Sequence, residues 1–256
     1  MGNSLDTEMG GTDHGFQRTH WTQIMGARAT DEAGRHAAVN DLFVAYWKPV
    51  YFYLRRKGYD NETAKDLVQG FFLEVVLGRE LIQRADPAKG RFRTFLLTAL
   101  DRYVISVNRS EGAAKRKPPR GLVHLDGVNW DSVPEPADAV TPDETFNYAW
   151  ASALLDDVLA ELERECVEAG RQTHWEVFYA RVVNPILANE EPAAVADLCA
   201  QYGIESERKV WDMVSALKQQ FQAILRCHVR LFVGSEAEVN QEICDLLEIF
   251  SRKRPG

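Results

Sequence analysis

Apolar residues recur at helical spacing along almost the whole chain, and no useful length of it alternates in the two-residue rhythm of a strand. Val39, Leu42, Phe43, Tyr46, Val50 and Tyr53 predict a first long helix. Pro49 lies inside that pattern and should kink it. Gly58 should end it after the basic run Arg55-Arg56-Lys57, which suits a helix C-terminus. Asp60 or Asn61 can cap the next helix, where Ala64, Leu67, Val68, Phe71, Phe72 and Val75 form an unbroken stripe. A short helix near 79–85 and the turn Asp86-Pro87-Ala88-Lys89-Gly90 follow. A third long helix begins near Arg91, with Phe92, Phe95, Leu96, Ala99, Leu100, Tyr103 and Val107 on its core face. It runs out in Ala113-Ala114-Lys115-Arg116-Lys117-Pro118-Pro119.

Residues 121–140 hold Gly121, Gly127, Pro134 and Pro136 and few helix signals, so they read as an acidic linker. Thr141-Pro142-Asp143-Glu144 then combines an N-cap, proline at the first helical position and glutamate at the third. It opens a helix to about 168, with Phe146, Trp150, Leu154, Val158 and Leu162 inward. A helix over 172–188 carries Pro185 and should bend or stop there. Residues 192–202, the turn Gly203-Ile204-Glu205-Ser206, and 207–230 have the outline of a helix-turn-helix. A last amphipathic helix covers 235–251, with Val239, Ile243, Leu246, Leu247 and Phe250. The fold class is therefore all-α, in two helical domains joined by the acidic linker. Their divisions are a disordered lead at 1–15, a first domain at 16–120, the linker at 121–140, a helix-turn-helix domain at 141–234, and a tail at 235–256.

Charge sharpens this picture. Residues 41–120 hold sixteen Lys/Arg against nine Asp/Glu, inside a chain of net charge −8. A basic domain in an acidic protein points to a phosphate-bearing partner, because clustered cations release counterions from nucleic acid. Charge alone is equally compatible with a solvated helical surface. Hydrophobic content of 45% supports a real core. No run of eighteen apolar residues occurs, so no membrane span is expected, and the first fifteen residues lack the apolar region of a secretory signal. Cys166, Cys199, Cys227 and Cys244 are far apart and form no metal-binding pair, so buried reduced thiols in a cytoplasmic protein are expected.

Signals for covalent chemistry are poor, and the chain reads as no enzyme and as needing no cofactor. None of the common zinc, phosphate-loop, dinucleotide or serine-nucleophile motifs is present. Asp156-Asp157 are adjacent on a helix and point about 100° apart, which suits a solvated face. His14, His20, His36, His124, His174 and His228 are scattered without ligand spacing. Trp47, Trp150, Trp175 and Trp211 share helical spacing with other apolar residues and should pack. A better constellation is Arg91, Arg93, Arg102, Arg109, Lys115, Arg116, Lys117 and Arg120 along one helix and its tail, interleaved with Phe92, Phe95 and Tyr103. Basic groups hold a strand's backbone while aromatic faces stack unpaired bases. Phe92 and Phe95 also lie on the apolar stripe, so a core role stands beside the stacking one.

The segments AYWKPVYFYLRRKGY (45–59), DLVQGFFLEVV (66–76) and DPAKGRFRTFLLTAL (86–100) resemble region two of the extracytoplasmic-function (ECF) bacterial sigma factors. EPADAVTPDETF (135–146) and EAEVNQEICDLLEIFS (236–251) are similar to the inter-region segment and the tail of a long-linker subgroup, and the helix-turn-helix stands where region four should be. The resemblance spans about 16–251. It implies a transcription initiation factor whose partners are core RNA polymerase and promoter DNA, and it allows an anti-sigma protein as a further partner. It places Asp66, Gln69 and Phe72 against the polymerase clamp helices, and Arg91, Phe92, Arg93 and Phe95 at the melted minus-ten element. Arg109 and the cluster Lys115, Arg116 and Lys117 continue toward DNA backbone.

The sequence departs from the family pattern in two places. Arg102 and Ser106 stand where many members have Asn and Asp. The second helix of the helix-turn-helix offers only Arg208, Lys209 and Lys218 over 207–225, beside Glu207 and Asp212. Arg208 and Lys209 are thus its candidate DNA contacts, and weak upstream-element reading is expected. The rival reading is a sigma-like interaction protein that binds polymerase or a regulatory partner without sequence-specific DNA reading.

Overall fold

Every described element is helical. The computed structural model describes residues 32–77, 91–111, 141–188, 190–230, 233 and 235–251. The lead at 1–15, the short helix near 79–85, the linker at 121–140 and the cluster Lys115, Arg116 and Lys117 lie outside these residues. The elements are α1 (Glu32–Arg56), α2 (Asn61–Gly70) running into a wider π-type winding (Phe71–Leu77), α3 (Phe92–Glu111) and α4 (Pro142–Glu168). Then come α5 (Gln172–Phe178), which continues as a π-type turn (Tyr179–Val183) and a short helix (Asn184–Ala188), α6 (Val195–Tyr202), α7 (Glu207–Arg230) and α8 (Glu236–Ser251). Among the described residues there is no strand, and no helix is long and apolar enough to cross a membrane.

The local signals act largely as their chemistry requires. The Asp60 side chain accepts from the Thr63 backbone N–H at 2.9 Å and caps α2. Thr141 and Glu144 form a reciprocal capping box at the start of α4, with Pro142 at the first position. Gly58 takes φ +96° just beyond α1, a conformation that side chains disfavour. Pro49 does not interrupt α1, which runs on for two further turns to Arg56. Toward Pro185, the regular winding of α5 gives way to the π-type turn.

α1 is the central helix. Val50, Tyr51, Phe52, Tyr53 and Leu54 are all buried, so this stretch has no solvent face and must be surrounded. Phe43 meets Phe72 edge-on at 5.0 Å, and Tyr46 meets Phe92 at 5.6 Å and Phe146 at 6.4 Å. The Tyr53 hydroxyl donates to Asp101 at 2.6 Å, and Lys57 pairs with the same carboxylate at 2.5 Å, tying the end of α1 to α3. α4, which follows the expected linker, packs along α1 through Phe146 and Trp150. The segments expected as two domains therefore share one apolar cluster, from Leu42 through Phe92 and Leu154 to Leu246. A second, smaller cluster of Val177, Leu198, Val210 and Val214 holds α5, α6 and α7 together.

Two packing expectations need correction. Trp211 is 45% exposed, because Val210 takes the inward position beside it. Of the four free cysteines only Cys166 is buried, since Cys227 and Cys244 fall on the outer faces of α7 and α8.

Gly70 of α2 leaves room for Tyr103 of α3. A Cβ built there would lie 2.2 Å from the Tyr103 hydroxyl, and the Tyr103 ring is itself buried at 5.8 Å from Phe71. Overpacking of this kind costs about 1–3 kcal/mol, more than the ~1 kcal/mol that alanine gains over glycine inside a helix. Gly70→Ala is expected to lower stability in urea denaturation. The same change in a Tyr103→Phe background, where the clashing oxygen is gone, is expected to be neutral or stabilising. An equal loss in both backgrounds would mean that the α2–α3 spacing is not set by this contact.

Candidate nucleic-acid interface

α3 divides its residues between core and solvent at helical spacing. Phe92, Leu96, Leu100, Tyr103 and Val104 are buried. Thr94, Thr98, Arg102, Ile105, Ser106 and Arg109 are exposed along the opposite side. Among the described side chains, that side carries two arginines beside Ile105 and no carboxylate, because Asp101 turns toward Tyr53 and Lys57. Phe95 is half-buried, packed at 6.3 Å from Phe92. Of the two aromatics with alternative roles, Phe92 is a core residue at 1% exposure and cannot stack a base without unfolding its surroundings. Phe95 keeps part of its surface.

Arg91 and Arg93, at the start of α3, are already engaged. Arg93 is buried, and its guanidinium lies 4.4 Å from the centre of the Trp150 ring on α4. It donates to Glu242 and approaches Asp245 at 3.5 Å, both on α8. Arg91 pairs with the same two carboxylates, at 3.0 Å to Glu242 and with a hydrogen bond to Asp245. Glu242 is itself buried, one turn from Val239 and Leu246 on the inward side of α8. The result is a closed knot of two guanidiniums and two carboxylates roofed by an aromatic ring.

Burial and charge compete in this knot. Burial pushes Glu242 above the usual carboxylate range, further than Arg93 and Arg91 pull it down. Burial also raises Asp245, but hydrogen bonds from Arg91 and Gln241 outweigh it and leave that carboxyl below its ordinary value. Burial lowers Arg93 against the opposing pull of Glu242, and a guanidinium remains cationic under such a shift. The Tyr46 hydroxyl beneath is pushed well above its usual range by burial, against the pull of Arg93.

The residues expected to meet polymerase divide in the same way. Asp66 and Gln69 are exposed on α2, while Phe72 is fully buried against Phe43 and Phe71. Phe72 can therefore shape that surface only from beneath.

In the segment expected as a helix-turn-helix, the first helix begins at Val195 rather than at 192, because Ala194 is extended, and a turn and α7 follow it. Gly203 takes φ +64° at the end of α6, and the Ile204 N–H bonds back to the Cys199 carbonyl at 3.0 Å. Val210 and Val214 of α7 pack on Leu198 and Val177. Arg208 and Lys209 are exposed on the first turn of α7, but Lys209 is paired with Glu205 at 2.5 Å. Trp211 lies beside them, with the Arg181 guanidinium 5.2 Å from its ring. The N-terminal end of α7 thus presents a mixed-charge, partly aromatic surface.

The chain's pattern marks Trp150 only as a packing residue, and it does not mark Glu242 or Asp245 at all. The available signal was charge. α8 carries Glu236, Glu238, Glu242, Asp245 and Glu248 and no Lys or Arg, in a chain whose basic segment needs a counterpart. Among the described residues no group of His, Cys, Asp and Glu is arranged to hold a metal ion. Comparison with protein-family models, curated proteins and solved structures gives no match.

Removing one partner of a buried ionic group leaves the other uncompensated and typically costs about 3–5 kcal/mol. Arg93→Ala is expected at the lower end of that range, because Arg91 still faces Glu242. Glu242→Ala alone should also destabilise, and the double change should cost less than the two single losses together, with a coupling above about 1 kcal/mol. Urea denaturation of the four proteins measures this. Additive losses would show that the two side chains do not depend on each other.

Proposed function

We propose that this chain is a sigma-type initiation factor that binds core RNA polymerase and acts on promoter DNA during melting. The observation that carries the reading is the α3 stripe. A solvent-facing row with Arg102 and Arg109 and no carboxylate, rigidly backed by a buried aromatic face, suits contact with a phosphate backbone. The likeness of residues 45–100 to sigma region two supports the same reading. On it, Asp66 and Gln69 present polar groups to the polymerase, Phe95 stacks an unpaired base, and the helix-turn-helix lies over upstream DNA. Lys115, Arg116 and Lys117 extend the basic path. The chain performs no covalent step and acts without a cofactor, in the cytoplasm of a bacterium.

A second reading, a sigma-like interaction protein that does not read DNA sequence, is favoured by a specific observation. Lys209, one of two strong cations at the start of the reading helix, is held by Glu205, and the neighbouring Glu207 and Asp212 repel phosphate. Promoter-dependent transcription with purified core polymerase separates the two readings. Run-off product from a melted promoter supports the first, and polymerase binding without transcription supports the second.

Two outcomes follow for the first reading. Asp66→Lys with Gln69→Ala should weaken polymerase binding by roughly 10-fold or more, the loss of about 1.4 kcal/mol expected at an interface centre, with circular dichroism unchanged. Unaltered affinity would remove these residues from the interface. Arg102→Ala with Arg109→Ala should flatten the salt dependence of the holoenzyme–promoter complex by about 0.7–0.9 in log–log slope for each phosphate no longer neutralised. A parent-like slope would turn the stripe away from DNA.

A further inference from the structure

The most basic point of the proposed DNA face is not open. Arg91 and Arg93, which the resemblance assigns to melted DNA, carry the carboxylates of Glu242 and Asp245 instead. A carboxylate and a phosphate both offer two acceptor oxygens that share negative charge, which the planar fork of a guanidinium can engage together. α8 brings five such carboxylates in sixteen residues and no cation. We infer that α8 is an internal competitor for nucleic-acid phosphate, holding Glu242 and Asp245 on Arg91 and Arg93 until DNA displaces it. This inference rests on the proposed DNA-binding role of α3.

The attachment of α8 is of a kind that can be exchanged. Only Val239, Glu242 and Leu246 of this helix are buried, and Leu247 is 66% exposed on its outer side. Beyond the ion pairs, its far end is held by buried Leu246, by Ile243 and Ile249 packed on the core, and by a ring contact of 5.8 Å between Phe250 and Tyr148 of α4. Its near end is anchored separately, by Arg226 to Asn240 at 2.8 Å and by Arg230 to Glu236 at 2.8 Å. Lifting the Glu242–Phe250 half would therefore leave α8 tethered to α7. Such movement uncovers Leu246 and the packed faces of Ile243, Ile249 and Phe250, and it exchanges the two carboxylates that the guanidiniums share for phosphate. Trp150 stays behind as the wall against which Arg93 is stacked, so the arginine is already oriented when the carboxylates leave.

The test uses the full chain, alone and with core polymerase, and a forked DNA with an unpaired segment. Glu242→Gln with Asp245→Asn keeps size and hydrogen bonding but removes the competing charge. The variant is expected to bind the fork about 10-fold more tightly than the parent at low salt. Its salt slope should be steeper by about 1–2, because Arg91 and Arg93 no longer give up a carboxylate for each phosphate they neutralise. Parent-like affinity and slope, in a protein for which Arg102→Ala/Arg109→Ala still weakens binding, would overturn the competitor and leave the proposed function standing. Failure of both parent and variant to bind the fork, with or without polymerase, would remove the proposed function and this inference with it. Hydrogen exchange on the unaltered chain gives a readout that needs no variant, and it decides the matter should the double variant lose helicity. Amides of 242–251 should exchange faster when saturating fork is added to the polymerase complex. Unchanged protection there would overturn the inference.

Discussion

The placement of one guanidinium organises much of this molecule. Arg93 belongs to α3, its ring partner Trp150 to α4, and its carboxylate partners Glu242 and Asp245 to α8. A buried cation is costly unless it is paired and hydrogen-bonded. Each of the three helices supplies one part of what makes this cation tolerable, and none suffices alone. An ionic group of this kind adds little net stability compared with an apolar filler, but it is intolerant of misplacement. It therefore fixes the register of α4 and α8 against the start of α3, while the aromatic core around Tyr46, Phe92 and Phe146 supplies the free energy.

Much of the fold was legible because it depends on local chemistry. Helix ends at Asp60, Thr141 and Gly203 are set by side-chain acceptors and by backbone freedom, and both are visible in a single stretch of chain. The stripes on α2 and α3 were legible for the same reason. What the spacing missed was burial on every side. Tyr51, Phe52 and Leu54 fall off the predicted stripe of α1 and are buried nonetheless, because α4 and the α2 winding cover faces that one-dimensional periodicity leaves unassigned. Trp211 is the opposite error. Its neighbour Val210 fills the small core of the helix-turn-helix, so the larger side chain is turned outward.

The candidate site was legible only in part, and for a definite reason. Spacing identifies residues that share a face of one helix, so the solvent side of α3 could be read directly. It carries no information about which residues 149 or 152 positions away will meet that face. Arg91 and Arg93 looked equivalent to Arg102 and Arg109 in sequence. In three dimensions the first pair is neutralised and half hidden while the second is open. A count of basic residues along a helix therefore overstates the charge available to a partner.

That difference bears on how such a surface can act. If all four arginines were open, attraction to any polyanion would be strong and indiscriminate, since phosphate neutralisation carries no sequence information. With two of them held by α8, the resting surface offers weaker, long-range attraction through Arg102 and Arg109. On the inferred role of α8, the stronger fork interactions are kept for an anion that can displace two carboxylates already in place. A single surface phosphate does this poorly, because it must dislodge a helix partly anchored by Val239 and Leu246. A strand that presents successive phosphates along α3 does it well, because engagement at Arg102 and Arg109 raises the local concentration of phosphate at Arg91 and Arg93. On the proposed DNA-binding role, the knot would convert a generic electrostatic attraction into a preference for an extended, correctly placed strand.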